Sequence, residues 1–250
     1  MLTMGQHQGF WARPRSTIEY VSWNHNASSG VSVNSTTIPA PSDIAENNLL
    51  LAYITYEGDH TTSPSSSGWT LYNRNNYNNC VAAILYKWAG ASEPADYTFS
   101  HTDSTYGGMG GAILNFIGSI NKGHVPIYRA SGLAPSSYSG NTDQTWDTDT
   151  LNIDIPGAIA VVLGAVLRIP IGTYGIQLFI ETSNGYTDLA YTHSIGGYSS
   201  DTRNSVGGGV GYKKFVDTVG AALDGGGTMS GDVGSGSGVM VWFSQILMLI

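Results

Sequence analysis

Hydrophobic residues along the chain fall in short runs that are separated by clusters of Gly, Asn and Ser. The runs are rich in Val, Ile, Tyr, Trp and Thr, which is the pattern of β-strands between turns. No stretch of about twelve residues has the i, i+3, i+4, i+7 spacing of an amphipathic helix without Gly, Pro or β-branched crowding. The pattern therefore predicts an all-β protein.

Strands are predicted over fifteen ranges, with turns where polar residues cluster. A turn is predicted at 24–30 and a hairpin loop at 75–79, because Asn tolerates left-handed backbone conformations. The polar segment 118–148 is predicted to bridge two halves. The predicted strands are 18–23, 31–38, 49–57, 69–74, 81–88, 96–100, 109–117, 150–155, 158–168, 177–181, 187–193, 206–215, 218–223, 228–233 and 239–250.

Five segments of the first half recur in the same order in the second half. Apolar runs that are this continuous need cover on both faces, so two such halves facing each other predict an eight-stranded, jelly-roll-like sandwich. Chance similarity between glycine-rich strands is the alternative. The corresponding segments are Leu49–Ile54 and Ala158–Leu163, Gly68–Leu71 and Gly185–Thr187, Val81–Lys87 and Gly208–Lys213, Tyr97–Ser100 and Gly227–Ser230, and Gly111–Ile117 and Gly238–Phe243.

The domain organisation follows from this repeat. Residues 1–17 are predicted to form an extended N-terminal arm, and residues 18–250 a single β-sandwich domain. The half-repeats lie at about 39–127 and 150–250.

Composition narrows the protein class. The 33 glycines do not follow the every-third-residue period of collagen, and a chain that is 41% hydrophobic is not disordered. Cys80 is the single cysteine, so an intrachain disulfide is excluded; it heads an apolar run and is predicted to be a small buried hydrophobe. No signal-peptide core is visible in Met1–Arg15, and no apolar run is long enough to span a membrane.

Charge argues against a nucleic acid partner, as the lack of a membrane-spanning run argues against a membrane partner. The net charge is −8, and the ten basic residues are scattered rather than gathered in a patch. With only 11% charged residues, the exposed faces must consist largely of Ser, Thr, Asn, Gly and Tyr. Such a surface suits a protein that is locked into a larger assembly.

A search for catalytic and metal-binding chemistry finds no motif. Nucleophile-elbow, zinc-protease and P-loop patterns are missing, and the Gly-rich stretches lead into strands. Asp143, Asp147 and Asp149 resemble a calcium loop, but the loop lacks the glycine and the terminal bidentate acid. Acidic pairs such as Glu93 and Asp96 are too common to indicate a glycosidase, and the same holds for Glu57 and Asp59. We therefore expect a non-enzymatic protein without catalytic residues, metal or cofactor.

Several short segments carry a resemblance to a known family. They are Ile38–Pro41, Asn48–Tyr53, Gly68–Leu71, Leu85–Ala89, Ala91–Phe99, Gly111–Leu114 and Pro126–Ile127. The stretch 39–127 resembles the jelly-roll-like β-sandwich module of tailed-bacteriophage virion proteins, which also occurs in some bacterial surface proteins. The second half resembles a degenerate continuation of this module. Asn47 and Asn48 stand where the family has a Gly-Asp pair.

The resemblance implies a virion location and a structural role, which we expect to be that of a capsid decoration or cement protein. The partners would be other virion proteins such as the major capsid protein. Phe10, Trp11, Arg13 and Arg15 are the candidate assembly interface, because the arm has no core of its own to join. A homo-oligomer such as a trimer would hide the edges of the sheets.

Two alternatives remain open at the level of sequence. A tail or tail-fibre protein would bind host-surface glycan through loop aromatics, although neither heptads nor short β-helical repeats predict a shaft. A cell-surface adhesin or carbohydrate-binding domain is weakened by the missing signal peptide. The loop aromatics are Tyr72, Tyr77, Tyr106, Tyr128, Tyr138, Trp146, Tyr174 and Tyr198.

Overall fold

The computed structural model describes residues 18–28, 33–58, 61–77, 80–102 and 108–118, and the strands that lie between residues 127 and 249. These residues contain β-strands, turns and bends but no helix, so the predicted all-β class is confirmed. Within the part of the chain that is described, no helix is long and apolar enough to cross a membrane.

The described residues form seventeen strands, so the predicted number of eight is not confirmed. The strands are β1 (Glu19–Ser28), β2 (Ser35–Pro39), β3 (Leu49–Glu57), β4 (Thr70–Tyr77), β5 (Cys80–Trp88), β6 (Asp96–Ser100), β7 (Met109–Ile117), β8 (Ile127–Ser139), β9 (Gln144–Asp147), β10 (Leu151–Ile153), β11 (Ile159–Arg168), β12 (Ile176–Ile180), β13 (Thr187–Asp188), β14 (Ser205–Lys214), β15 (Ala221–Leu223), β16 (Gly226–Gly231) and β17 (Ser237–Leu249).

Two predictions about irregular segments were wrong. β1 continues to Ser28 through residues predicted as a turn, because Asn24 and Asn26 bond to a neighbouring segment with their side chains and leave the backbone extended. β8 and β9 lie in the segment that was predicted to be a polar bridge. β8 contains Pro135 and is an edge strand, where proline is tolerated and apolar alternation is weak.

The first sheet is antiparallel and has five strands in the order β1-β7-β3-β5-β4. Because successive side chains of a strand point to opposite faces, the apolar runs of β3, β5 and β7 supply two cores. One core lies towards the two-stranded β2-β6 sheet. Its fully buried members include Ile38, Leu50, Tyr56, Phe99 and Ile113.

The second core lies between the first sheet and a second five-stranded sheet, whose order is β13-β14-β11-β17-β8. β11 and β14 contact β3, β5 and β7. Ile159 and Val161 of β11 are buried in one cluster with Leu49, Leu51 and Phe116. The first sheet is therefore covered on both faces, as its continuous apolar runs predict.

The two large sheets have corresponding strand orders. β3 lies between β5 and β7, and β11 lies in the same way between β14 and β17. β4 and β13 are the edge strands next to β5 and β14, and β1 and β8 are the opposite edges. The smaller sheets also correspond, since β2 pairs with β6 and β9 pairs with β16.

The registers of the two sheets correspond as well. In the first sheet, Leu51 pairs with Tyr86 and Leu114, and Tyr86 pairs with Thr70. In the second sheet, Val161 pairs with Tyr212 and Leu247, and Tyr212 pairs with Thr187. Thr70 and Thr187, and likewise Tyr86 and Tyr212, are thus aligned by the ladders as the sequence repeat aligns them.

The ladders correct two parts of the repeat. Leu51 matches Val161 rather than Ala160, so Leu49–Ile54 corresponds to Ile159–Gly164. Gly111–Ile117 corresponds to the end of β17 rather than to Gly238–Phe243, because Leu114 and Leu247 occupy matching positions. The strand was identified correctly, but its register was not. β17 is apolar over most of its length, so composition alone does not fix where the repeat begins within it.

Candidate assembly surface

The residues predicted for assembly, and the acidic residues that resemble a calcium loop, lie mostly outside the described residues. Phe10, Trp11, Arg13 and Arg15 belong to the arm, and the structure does not describe them. Asp147 ends β9, while Asp143 and Asp149 lie outside the described residues. Within the described ranges, no group of three or more His, Cys, Asp or Glu residues could hold a metal ion.

Glu93 is held by a set of donors on the loop that joins β5 to β6. Its carboxylate accepts hydrogen bonds from Lys87 Nζ at 2.6 Å, from the Tyr97 hydroxyl at 2.7 Å and from the Gly90 backbone N–H at 2.6 Å. The Glu93 side chain is only 7% exposed. Lys87 Nζ also lies 5.3 Å from the centre of the Tyr97 ring. We call Lys87, Gly90, Glu93 and Tyr97 the loop clamp.

The electrostatics of the loop clamp disfavour a role for Glu93 as a proton donor. Burial raises the pKa of the Glu93 carboxyl, but the hydrogen bonds from Lys87, Gly90 and Tyr97 and the charge of Lys87 outweigh burial, so the pKa is lowered from the usual 4.5. Burial, followed by the bond to Glu93, raises the pKa of Tyr97. A carboxylate kept ionised in this way is a poor proton donor. Asp96, its partner in the hypothetical glycosidase pair, is exposed at the start of β6.

Replacing Glu93 by Gln should destabilise the protein at neutral pH by about 2 kcal/mol, because three bonds to a charged acceptor lose that charge. A carboxyl whose folded pKa is lowered contributes stability above its unfolded pKa, and the contribution is lost as pH falls. The difference in stability between wild type and Glu93→Gln should therefore shrink as the pH falls below the usual carboxyl pKa of 4.5. Glu46→Gln, at an exposed position, is the control; a constant difference between wild type and Glu93→Gln at all pH values would contradict the role of the charge.

A buried polar cluster joins β1 and β7 to the segment before β3. Asn48 Nδ2 donates to Asn115 Oδ1 at 2.8 Å, and both residues are buried. Asn115 Nδ2 in turn donates to the Ser42 carbonyl at 3.1 Å, which also accepts from Ser22 Oγ at 2.6 Å. Asn47 has a φ of 73°, the left-handed region that a glycine occupies most readily. The Asn47-Asn48 pair thus fits both the turn and the buried bond.

The polar side chains of β1 bond to a second segment in the same manner. Asn26 Nδ2 donates to the Thr37 carbonyl at 2.7 Å, and Asn24 Nδ2 lies 3.5 Å from the Ala40 carbonyl. Together with Ser22, these residues place one face of β1 against residues 37–42. This face of β1 is used within the molecule and is not free for a partner.

The opposite edge of the first sheet, β4, is different. Among the described strands, β4 pairs only with β5. Leu71 is 41% exposed, and three of the other seven residues of β4 are Asn. The one charged residue of β4 is Arg74, whose guanidinium bonds to the Thr62 carbonyl. Proteins usually protect edge strands with charges or proline, so β4 is a candidate contact surface within the described part of the chain.

His101 is placed as a structural histidine at the end of β6. It is 4% exposed, and its ring stacks on that of Tyr56 at 3.9 Å. The Tyr56 hydroxyl donates to the Thr62 carbonyl at 2.8 Å. These contacts place the segment around Thr62 beside β4, where the Thr62 carbonyl also accepts from Arg74.

The predicted loop aromatics are distributed differently from the expectation. Tyr72 lies in β4 and is half-buried against the core between the two large sheets. Tyr128 and Tyr138 belong to β8, Trp146 belongs to β9, and Tyr77 ends β4. Tyr106, Tyr174 and Tyr198 lie outside the described residues. All five of these aromatic residues that the structure describes therefore lie in strands rather than in loops.

Sequence reasoning missed an aromatic pair on β1. Trp23 and His25 stack with their ring centres 4.8 Å apart and 13° between the planes. Both were placed at the boundary between a strand and a turn, because the Asn residues around His25 are typical of loops. Residues two positions apart in a strand lie on the same face, so extending the strand to His25 would have predicted that the two rings are neighbours.

A tyrosine pair joins the first sheet to the second. Tyr20 of β1 stacks on Tyr212 of β14, with ring centres 4.1 Å apart and 23° between the planes. Burial, and then the proximity of Tyr212, raises the pKa of Tyr20 from 10.0 to about 12.

We expect this pair to make the protein sensitive to alkaline pH. A phenol with a raised folded pKa contributes stability below its unfolded pKa, and the contribution is lost as pH rises through the folded value. Stability should therefore fall between about pH 10 and pH 12. In Tyr20→Phe this fall should be shallower, as measured by denaturant unfolding at each pH, and an unchanged slope would contradict the assignment to Tyr20.

Comparisons with known proteins assign the chain to no family. No protein-family model matches it, and no curated protein matches it. Among solved structures, it is similar to the infectious bursal disease virus Gx strain structure, with 10% identity over 96% of this chain and 82% of that chain and a TM-score of 0.16. The VP2 subviral particle of the same virus gives 10% identity, coverage of 95% and 82%, and a TM-score of 0.18. TM-scores this low carry no argument about fold or function.

Proposed function

We propose that this chain is a virion structural protein of a tailed bacteriophage and acts as a capsid decoration or cement protein. The observation that carries the proposal is that the described side chains serve packing and internal hydrogen bonds. In the described part of the chain, the apolar faces of the first sheet are buried between layers. Its best-placed polar groups, the loop clamp and the Asn48–Asn115 cluster, bond within the molecule.

A non-enzymatic role is part of this proposal. Glu93 is ionised and bonded to three donors, and His101 is buried. An active site needs titratable groups that converge on an accessible pocket, and these two side chains are used in packing instead. The resemblance of residues 39–127 to a phage virion module supports the same reading.

The proposed contacts with neighbours involve the edge strand β4 and the arm. β4 offers an edge of the first sheet with an exposed leucine and several asparagines. The arm offers Phe10, Trp11, Arg13 and Arg15. Aromatic residues and Arg are both enriched in protein interfaces. A homo-oligomer, such as a trimer, on the major capsid protein would cover both surfaces.

The test is binding of the purified protein to empty capsids of the phage that encodes it. We expect co-sedimentation with capsids, and we expect the variant Phe10→Ala/Trp11→Ala/Arg13→Ala to bind at least about tenfold more weakly, because anchor residues carry most of an interface's free energy. Glu46→Gln is the control. Binding to a glycan array or to tails, without binding to capsids, would overturn the capsid role in favour of the tail-fibre alternative.

A further inference from the structure

The two large sheets cover each other with corresponding faces of corresponding strands. Leu49 and Leu51 lie on the face of β3 that is buried against the second sheet, and Ile159 and Val161 of β11 lie in the same cluster. The ladder registers make Val161 the counterpart of Leu51, and two residues earlier Ile159 is the counterpart of Leu49. Corresponding residues therefore meet from the two sides of one interface.

A third pair of corresponding residues lies at the same interface. Tyr86 of β5 and Tyr212 of β14 are both partly buried and pack against this cluster. Tyr86 pairs with Leu51 of the central strand β3, and Tyr212 pairs with Val161 of the central strand β11. The two tyrosines therefore occupy matching positions in their sheets. An interface between unrelated faces would have no reason to use matching positions three times.

In a two-fold dimer, the same surface patch of both subunits forms the interface. We propose that the contact between the two large sheets is a fused homodimer interface, in which the inner face of the first half fits a second copy of that half. The partner of this surface is thus another copy of the same module, and in the intact chain the diverged second half occupies its place.

The first half has the other requirement of such a module, which is a core of its own. Among the residues whose side chains the structure describes, the cluster between the first sheet and the β2-β6 sheet consists of residues between Val33 and Ile113. It includes the large buried side chains Tyr56 and Phe99. This core is therefore built from first-half residues, whereas the inner face with Leu51 and Phe116 packs with Ile159 and Val161 of the second half.

The experiment begins with the full chain carrying a protease site within residues 119–126, between β7 and β8. After cleavage, the nicked protein is held at a denaturant concentration that allows the halves to exchange, and is then returned to buffer and analysed by native mass spectrometry. We expect pairs of two first halves to appear beside the original pairs of a first and a second half. Recovery of mixed pairs alone would overturn the proposal.

Two variants of the nicked protein sharpen this result. Leu51→Lys, on the inner face, should abolish the pairs of two first halves. Leu71→Lys, on the exposed part of β4, should leave them in place. Loss of these pairs with both variants, or with neither, would contradict pairing through the inner face.

The intact chain gives a second readout that needs no exchange. Tyr20 of the first half stacks on Tyr212 of the second half. The ladders make Ile127 the second-half counterpart of Tyr20, and Tyr86 the first-half counterpart of Tyr212. If the interface is two-fold, Ile127 and Tyr86 should therefore contact each other in the same way. In a double-mutant cycle, Tyr86→Ala and Ile127→Ala should be non-additive by roughly threefold or more in the unfolding equilibrium constant. Additive effects would overturn the two-fold relation. Neither readout uses a virus particle, so failure here leaves the proposed virion role intact.

Discussion

Replacing Phe116 by Ala is expected to lower the free energy of unfolding by about 3–5 kcal/mol, because truncation of a buried Phe removes its apolar contacts and leaves a cavity. Phe116 is fully buried in the core between the two large sheets, and its ring meets that of Tyr20 edge to face at 6.0 Å. A loss of this size is a large part of the total stability of a typical domain, about 5–15 kcal/mol.

The next residue along the strand provides the control. Ile117 is 47% exposed, so Ile117→Ala removes a side chain of similar character without opening a core. Its effect should stay within about 0.5 kcal/mol. Both variants are measured by urea unfolding. Equal effects for the two would mean that the second sheet does not seal this face of the first.

Replacing Gly111 by Ala is expected to be nearly as damaging, although it adds only one methyl group. A Cβ at this position would lie 2.6 Å from the Tyr53 carbonyl oxygen and 2.5 Å from Ile54 Cδ1, with Ile38 Cδ1 at 3.1 Å. Because the Tyr53 carbonyl belongs to the backbone, rotation of a side chain cannot relieve this clash, and β3 and β7 must move apart. We expect a loss of about 2–3 kcal/mol, in the range of overpacked cores.

Gly90→Ala is the matched control for Gly111→Ala. The nearest atom to a Cβ at Gly90 is Glu93 Oε1 at 3.6 Å, an ordinary van der Waals distance. If the chain unfolds as one unit, thermal unfolding should leave Gly90→Ala close to wild type and lower the melting temperature of Gly111→Ala by about 4–12 °C. A wild-type melting temperature for Gly111→Ala would show that β3 and β7 are not packed as closely as described.

The fold class could be predicted from the sequence because strand signals are local. β3, β6 and β7 begin and end at the predicted residues, since each is a short apolar or alternating run between turn residues. The correspondence of the halves was also visible, because Tyr-Lys at the end of β5 and of β14 marks the same place in both ladders.

The errors come from contacts that are not local. β1 was cut short at Trp23 because Asn24 and Asn26 are typical of turns, and their bonds to Ala40 and Thr37 depend on a segment that follows later in the chain. β8 was missed because an edge strand needs little apolar alternation. The loop clamp was not predicted either, since Lys87, Glu93 and Tyr97 become neighbours only when the loop folds back.

The central claim is that this chain is a structural component of a phage capsid, and localisation in the intact particle tests it most directly. Purified virions are imaged by electron cryo-microscopy, with wild-type particles compared with particles from a phage in which the coding sequence is deleted. We expect density for this two-sheet protein at regular positions on the outer surface of the capsid, and we expect this density to be lost in the deletion. Absence of the chain from purified virions, or its density on the tail alone, would contradict a capsid role.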